Sequence, residues 1–319
     1  MNFKIRRFIL EWTPGYFLIQ WMRKIQFKRY DNVSLYEIAK TFFRNLEKDQ
    51  IIDRANGVAF NFIMAIFPGI LFLFTLTPYI SKVFPKLNRV TIMGYIQEMI
   101  PSSMGTTISS TVEDMISNTR GGLLTFGFVF SLFLATNGMM SLMRAFNACY
   151  RTIEKRGAIK MRLIATGLTF ALIIVLLLAT GLLVVGQIAI TYASEIGWMQ
   201  NFSIDFLLFI RFAVIFIAFF LAIAFIYYFG PAIHYNWKFF SIGSLVATLL
   251  CLLVSYGFSF YINNFGTYNK VYGSIGALIA MMIWVQLVTV VLLFGYEINV
   301  SIHDAIRTKA ILTYKKRKI

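Results

Sequence analysis

Cysteine and histidine are scarce in this chain, with 2 of each among 319 residues. Cys149 and Cys251 stand at or within apolar runs, far apart and outside any C-x-x-C motif. That excludes a disulfide framework and a dithiol redox motif, and both read as buried apolar residues. His234 and His303 fall in different polar segments. Neither an H-E-x-x-H zinc motif nor a Cys/His cluster can be built from them, so no metal site and no cofactor are expected. There is no phosphate-binding Walker loop, which argues against direct drive by ATP, and no Gly-x-Ser-x-Gly elbow for a serine hydrolase. These absences together point away from an enzyme. A cleavable leader is not expected either: the run Phe8–Leu10 is too short and Glu11 interrupts it. No low-complexity tract or repeat of the solenoid kind is visible.

What the chain has in excess is apolar length. It is 58% hydrophobic, with a mean hydropathy of +0.70, and the excess is gathered into six blocks. They lie at Gly57–Ile80, Gly122–Phe146, Arg162–Thr191, Phe206–Phe229, Phe239–Ile262 and Gly273–Val300. Each reaches the ~20 residues a helix needs to cross a hydrocarbon core. Lipid offers the backbone no hydrogen bonds, so such blocks must be helices. The fold class expected is all-α: a polytopic bundle of six transmembrane helices, with amphipathic N-terminal and extracytoplasmic helices beside it. Residues 1–56 form a basic amphipathic N-terminal segment, 57–300 the membrane domain with an amphipathic insertion at 81–121, and 301–319 a basic tail.

The formal net charge of +16 would suggest nucleic acid in a soluble chain. Here the charge sits in flanks and loops. Of the 30 Lys and Arg residues, 23 lie in alternate polar segments beginning with the N-terminal one, against 5 in the others. By the positive-inside rule this places both termini in the cytoplasm. The partners expected are therefore membrane lipids with anionic headgroups and not nucleic acid, with a homo-oligomer left open.

Residues 1–30 interleave basic and aromatic side chains, a pattern suited to lying on an anionic surface. Ser34 and Glu37 then form an S-x-x-E capping box, followed by apolar residues at Leu35, Ile38, Ala39, Phe42, Phe43 and Leu46 on one helical face. The insertion divides at Pro101 into two short stretches of helical periodicity.

Polar residues within apolar spans are presumptive functional positions. Arg144 stands near the inner end of the second span, Arg211 near the outer end of the fourth, and Glu297 late in the sixth. An Arg144–Glu297 pair is geometrically open. Asn61, Asn137, Gln187, Gln286 and Asn299 read mainly as interhelical hydrogen bonds. The short outer turn before the sixth span carries Tyr268, Asn269, Lys270 and Tyr272: one ammonium, an amide and two phenols, a set able to hold an anionic headgroup.

Several blocks together resemble the BrkB/YihY family of bacterial inner-membrane proteins. They are Phe258-Ser-Phe-Tyr261 with Tyr268-Asn-Lys-Val-Tyr-Gly-Ser274 and Gly276-Ala277, Arg144-Ala-Phe-Asn-Ala-Cys-Tyr150, Ala59-Phe-Asn with Phe67-Pro68, and Tyr227-Tyr-Phe-Gly-Pro231. Gly295-Tyr-Glu-Ile-Asn299 departs from the family pattern at Tyr296. The resemblance covers about residues 35–305 and implies six helices in the bacterial cytoplasmic membrane and a role in the cell envelope. Some relatives are linked to export of lipid-like components and others to ion antiport. An older ribonuclease BN label is held to be a misassignment.

The expectation is a transporter or flippase-like protein for an amphiphilic or anionic envelope component. Lys270, Arg211, Tyr268, Asn269, Tyr272, Arg144 and Asn147 are its candidate binding residues. An ion- or proton-coupled antiporter with Glu297 as the titrating group is the alternative, followed by a non-transporting scaffold.

Overall fold

The computed structural model describes residues 14–27, 32–83, 120–195, 204–233, 238–264 and 274–317. The basic stretch 1–13, both amphipathic pieces of the insertion, and the turn with Tyr268, Asn269, Lys270 and Tyr272 lie outside the described residues. Within them the protein is all-α apart from one two-residue strand pair. The order is α1 (Pro14–Lys24), β1 (Gln26–Phe27), β2 (Val33–Ser34), α2 (Leu35–Lys48), α3 (Ile51–Val83), α4 (Gly121–Cys149), α5 (Ala158–Glu195), α6 (Ile204–Phe229), α7 (Ile242–Asn264) and α8 (Ser274–Arg317). The strands pair antiparallel with Gln26 opposite Ser34.

The helices α3 to α8 are long and apolar enough to cross a membrane, and the chain is a polytopic membrane protein. They form a closed ring: each packs on the next in sequence and α8 returns to α3. The helices outrun the apolar blocks. At 44 residues, α8 is ~66 Å long, twice a ~30 Å hydrocarbon core. Part of it therefore extends past the bilayer, and α2 packs on its later half at Phe294, Ile302 and Ala305.

The capping box is present. The Glu37 N–H donates to Ser34 Oγ at 3.3 Å, and the Ser34 N–H donates to Glu37 Oε2 at 3.1 Å, satisfying two N-terminal donors that the helix itself leaves open. Ile38 and Phe42 are buried as the stripe requires. Ile38 and Val33 meet α8 at Ile302 and Ala305, and Phe42 sets its ring edge-on to Phe294 at 4.7 Å. Gln50 takes a left-handed φ of 45°, which breaks the helix between α2 and α3. Pro68 and Pro78 sit inside α3 without ending it; in a bundle, neighbouring groups compensate the lost donors.

Buried side chains gather in the half of the ring nearer the two termini. Ala55 and Val58 of α3, Met139, Leu142, Met143 and Phe146 of α4, Tyr227 of α6, Cys251 of α7 and Leu293 of α8 share one cluster. Small residues let the backbones approach there. A Cβ on Gly138 would run into the Phe62 ring at 2.7 Å. One on Gly243 would strike the Gly295 carbonyl oxygen and the Asn299 carboxamide.

Candidate functional site

Toward the terminal end of the ring three buried aromatic rings meet. Phe146 of α4 stacks on Tyr296 of α8 at 4.2 Å, and Tyr227 of α6 stands edge-on to both, at 5.4 and 5.5 Å. The Tyr227 hydroxyl donates to the Leu292 carbonyl at 2.6 Å. Three helices far apart in sequence are thereby joined in one aromatic cluster, and Tyr296, the residue that departs from the family pattern, is a full member of it.

Beside this cluster two loops are tied together. Asn147 ends the R-A-F-N run; its Oδ1 accepts from the Ala232 N–H at 2.7 Å and its Nδ2 donates to Glu154 Oε2 at 2.7 Å. Glu154 also accepts from Arg156 through Nε at 2.8 Å and Nη2 at 2.7 Å, and Arg156 Nη2 reaches the Gly230 carbonyl at 2.9 Å. These bonds hold the Glu154 carboxyl below the usual 4.5 of a glutamate, Arg156 first among the causes. Both ends of the Asn147 carboxamide are thus engaged in fixing the α4–α5 loop to the end of α6.

Arg162 of α5 enters a different seam. It lies one turn into an apolar span, and its Nη1 donates to Thr136 Oγ1 of α4 at 2.7 Å and to the Phe133 carbonyl at 3.3 Å. Its guanidinium lies 4.6 Å from the centre of the Phe133 ring. Thr136 is ~20 Å along α4 from the Cys149 end, so the charge is drawn toward the middle of that helix. Among the described residues no carboxylate pairs with it. Of the five guanidinium N–H donors, those on Nε and Nη2 have no hydrogen-bond partner among the described residues. Phe126, Phe130 and Phe133 of α4 and Leu163 of α5, all exposed, supply apolar surface on the two helices of this seam.

A third feature is acidic. Glu297 of α8 is fully buried, and its Oε1 accepts from Ser301 Oγ at 3.3 Å. Its Oε2 has no hydrogen-bond partner among the described residues, nor has Asp49 Oδ2. Asp49, 4% exposed, caps α2 and faces the exposed Arg151 at 3.8 Å through Oδ1. Burial raises its carboxyl above the usual 3.8, against the opposing pull of Arg151 and Arg54. Asn45 donates to Asp304 at 3.4 Å, and Arg54 donates to Cys149 Sγ at 3.5 Å.

The expected Arg144–Glu297 pair does not form. Arg144 shares the exposed face of α4 with Ala148, whereas Glu297 is buried, and no ion pair joins them among the described residues. The cause is helical phase: the residues flanking Arg144, Met143 and Ala145, occupy the buried side. Asn61 also departs from expectation, donating to the Gly57 carbonyl of its own helix at 2.7 Å and not across helices. Gln286 and Asn299 do bond across: Gln286 to Asn56, and Asn299 to the Gly243 N–H at 2.8 Å and to Ser241 Oγ at 2.9 Å. Arg211 is exposed on α6, toward the end of the ring away from the termini. Arg162, Glu154, Arg156 and Asp49 had no place among the sequence candidates. Arg162 could have been flagged, because it opens an apolar span without a neighbouring acid.

One further cavity, about 440 Å³, opens between α7 and α8 away from the termini and is lined by apolar side chains including Leu253, Phe258 and Ile283.

A family model described as Virulence factor BrkB matches residues 42–318. The chain is also 31% identical over 246 residues to a protein called Putative ribonuclease-like protein YfkH from Bacillus subtilis (strain 168), a match covering 77% of this chain and 88% of that protein. No solved structure gives a significant match.

Proposed function

The chain belongs to the virulence factor BrkB family, and from that premise we propose that it moves an anionic amphiphile of the cell envelope between membrane leaflets. The observation that carries this reading is Arg162. An arginine in an apolar span without a carboxylate partner is costly to maintain, and its unused donors form the fork that grips a phosphate or carboxylate in bidentate fashion. Its seam runs between two helices with exposed phenylalanines and leucines, so a headgroup could sit on Arg162 while its chains stay in lipid. The buried aromatic cluster of Phe146, Tyr227 and Tyr296 supports a barrier at one end of the ring.

Lys270 and Arg211 are assigned, on sequence grounds, to further headgroup contacts at the outer end of the ring, with Tyr268, Asn269 and Tyr272 beside Lys270, and Arg144 to one at the inner end; the Asn147 carboxamide is taken up in holding the α4–α5 loop. The protein would lie in the bacterial cytoplasmic membrane with both termini in the cytoplasm. Hydrolysis of RNA is no part of this proposal.

The test is leaflet exchange. The purified chain is placed in liposomes containing a fluorescent anionic lipid or its zwitterionic counterpart, and accessibility to an outer quencher is followed. Faster exchange of the anionic probe is expected. Exchange no faster than in empty liposomes for either probe, with and without a proton gradient, overturns the reading.

A further inference from the structure

We propose that the cleft between α7 and α8 binds a single hydrocarbon chain of a bilayer lipid, in the half of the membrane away from the termini. This goes beyond the amphiphile reading: in the ring, the α7–α8 seam lies across from the α4–α5 seam that holds Arg162.

The cleft exists because two helices held at a set spacing carry too little side chain between them. Toward the termini α7 and α8 approach backbone to backbone, where a Cβ on Gly243 would strike the Gly295 carbonyl oxygen. Further along, the Trp284 Nε1–H of α8 donates to Ser255 Oγ of α7 at 3.2 Å, which ties the pair again. Beside this tie the seam is lined by Gly257 and Ala280, and a space of about 440 Å³ stays open. Gly257 is unlike the glycines that close packing explains. A Cβ on Gly138 or Gly243 would collide with a neighbour, whereas one on Gly257 would meet nothing within 4 Å. Glycine disfavours a helix interior, and here it leaves room that no other part of the chain fills.

Three observations name the occupant. The first is chemistry: of the nine lining residues only Tyr261 has a polar side-chain atom, and a water needs several polar partners. The second is continuity with lipid. Leu253, Ile283 and Leu287 line the cleft and are also exposed, in one surface with the exposed Leu249, Phe260 and Met282. Exposed apolar side chains of a span face hydrocarbon, so the cleft opens into the layer of acyl chains. The third is length. Leu253 to Ile262 is ~14 Å of helix rise, about half of a ~30 Å hydrocarbon core and so the depth of one leaflet. The span ends at Ile262, with Tyr261 one residue before it, at the interfacial level that tyrosine favours. A chain lying in the cleft would restore the dispersion contacts that the gap forfeits and complete the packing of the last two spans.

Photolabelling tests this. The full chain is placed in phosphatidylcholine nanodiscs with a trace of phosphatidylcholine bearing a diazirine midway along one acyl chain, irradiated, digested and mapped by mass spectrometry. Labels on residues 253–262 and 280–287 are expected to exceed severalfold those on 173–185, an exposed apolar stretch of α5. Gly257→Phe puts a ring into the open space and should bring the cleft down to the α5 level, with α5 itself unchanged. Ile283→Trp does the same from α8 and decides the matter if Gly257→Phe fails to fold. Cleft labelling no stronger than that of α5, or unmoved in the folded variants, leaves only the general lipid shell and overturns the proposal. A disulfide between two chains of Leu253→Cys would put a second copy of the chain there and also overturn it. The same diazirine chain on phosphatidylglycerol should label the cleft equally. Labelling by the anionic probe alone would make the cleft part of a cargo path and overturn the assignment to a resident lipid. None of these readouts uses leaflet exchange, so this proposal and the amphiphile reading fail separately.

Discussion

The Asn147 carboxamide accepts the Ala232 N–H at 2.7 Å across 85 residues of chain. With its second bond to Glu154, it makes one side chain the fastener between the end of α4, the following loop and the end of α6. Asn147→Ala leaves a buried N–H unpaired, and the expected loss is about 1–3 kcal/mol. Thermal unfolding in detergent checks it; an unchanged melting temperature would show that the loop is held by other contacts.

The same knot gives a pH dependence with a definite sign. Arg156 holds the Glu154 carboxyl below its usual value, so this stabilisation is complete above the usual glutamate range and is lost as pH falls through the lowered value. Asp49 works the other way. Burial raises its carboxyl, so its folded form is favoured at low pH and that advantage is lost as pH rises through the raised value. Melting temperatures measured across the carboxylate range should show a smaller acid-side loss in Glu154→Gln than in the parent, and a larger one in Asp49→Asn.

A matched pair of glycines tests the backbone approach of α7 to α8. In Gly243→Ala the new methyl would meet the Gly295 carbonyl oxygen and Asn299, a clash with backbone that should cost about 1–3 kcal/mol. At Gly57, in α3, nothing lies within 4 Å of an added Cβ. Gly57→Ala should be neutral or stabilising by up to ~1 kcal/mol through helix propensity. Equal effects of the two would contradict the contact.

Local rules carried much of the fold. The six spans follow from apolar block length, and α2 from Ser34, Glu37 and a stripe that ends in Phe42 and Leu46. The site was less legible because its partners are remote. Nothing near Asn147 in sequence announces Ala232, and nothing near Gly243 announces Gly295. Arg162 reads as one more flanking cation until α5 is seen to begin at Ala158, which moves Arg162 inside the helix and against Thr136 of its neighbour. Arg144 and Glu297 share a level in the topology, but a pairing across helices also needs matching faces. Exposed Arg144 and buried Glu297 fail that condition by a rotation about the α4 axis that hydropathy does not report.

Arg162 itself offers the most direct measurement. In liposomes carrying a fluorescent anionic lipid, Arg162→Gln should slow leaflet exchange by about tenfold to a hundredfold, the rate equivalent of one charge-assisted hydrogen bond. Arg162→Lys, which keeps the charge and loses the fork, should fall between the two. Exchange in Arg162→Gln as fast as in the parent, with the variant folded, would contradict an anionic headgroup passing along the α4–α5 seam.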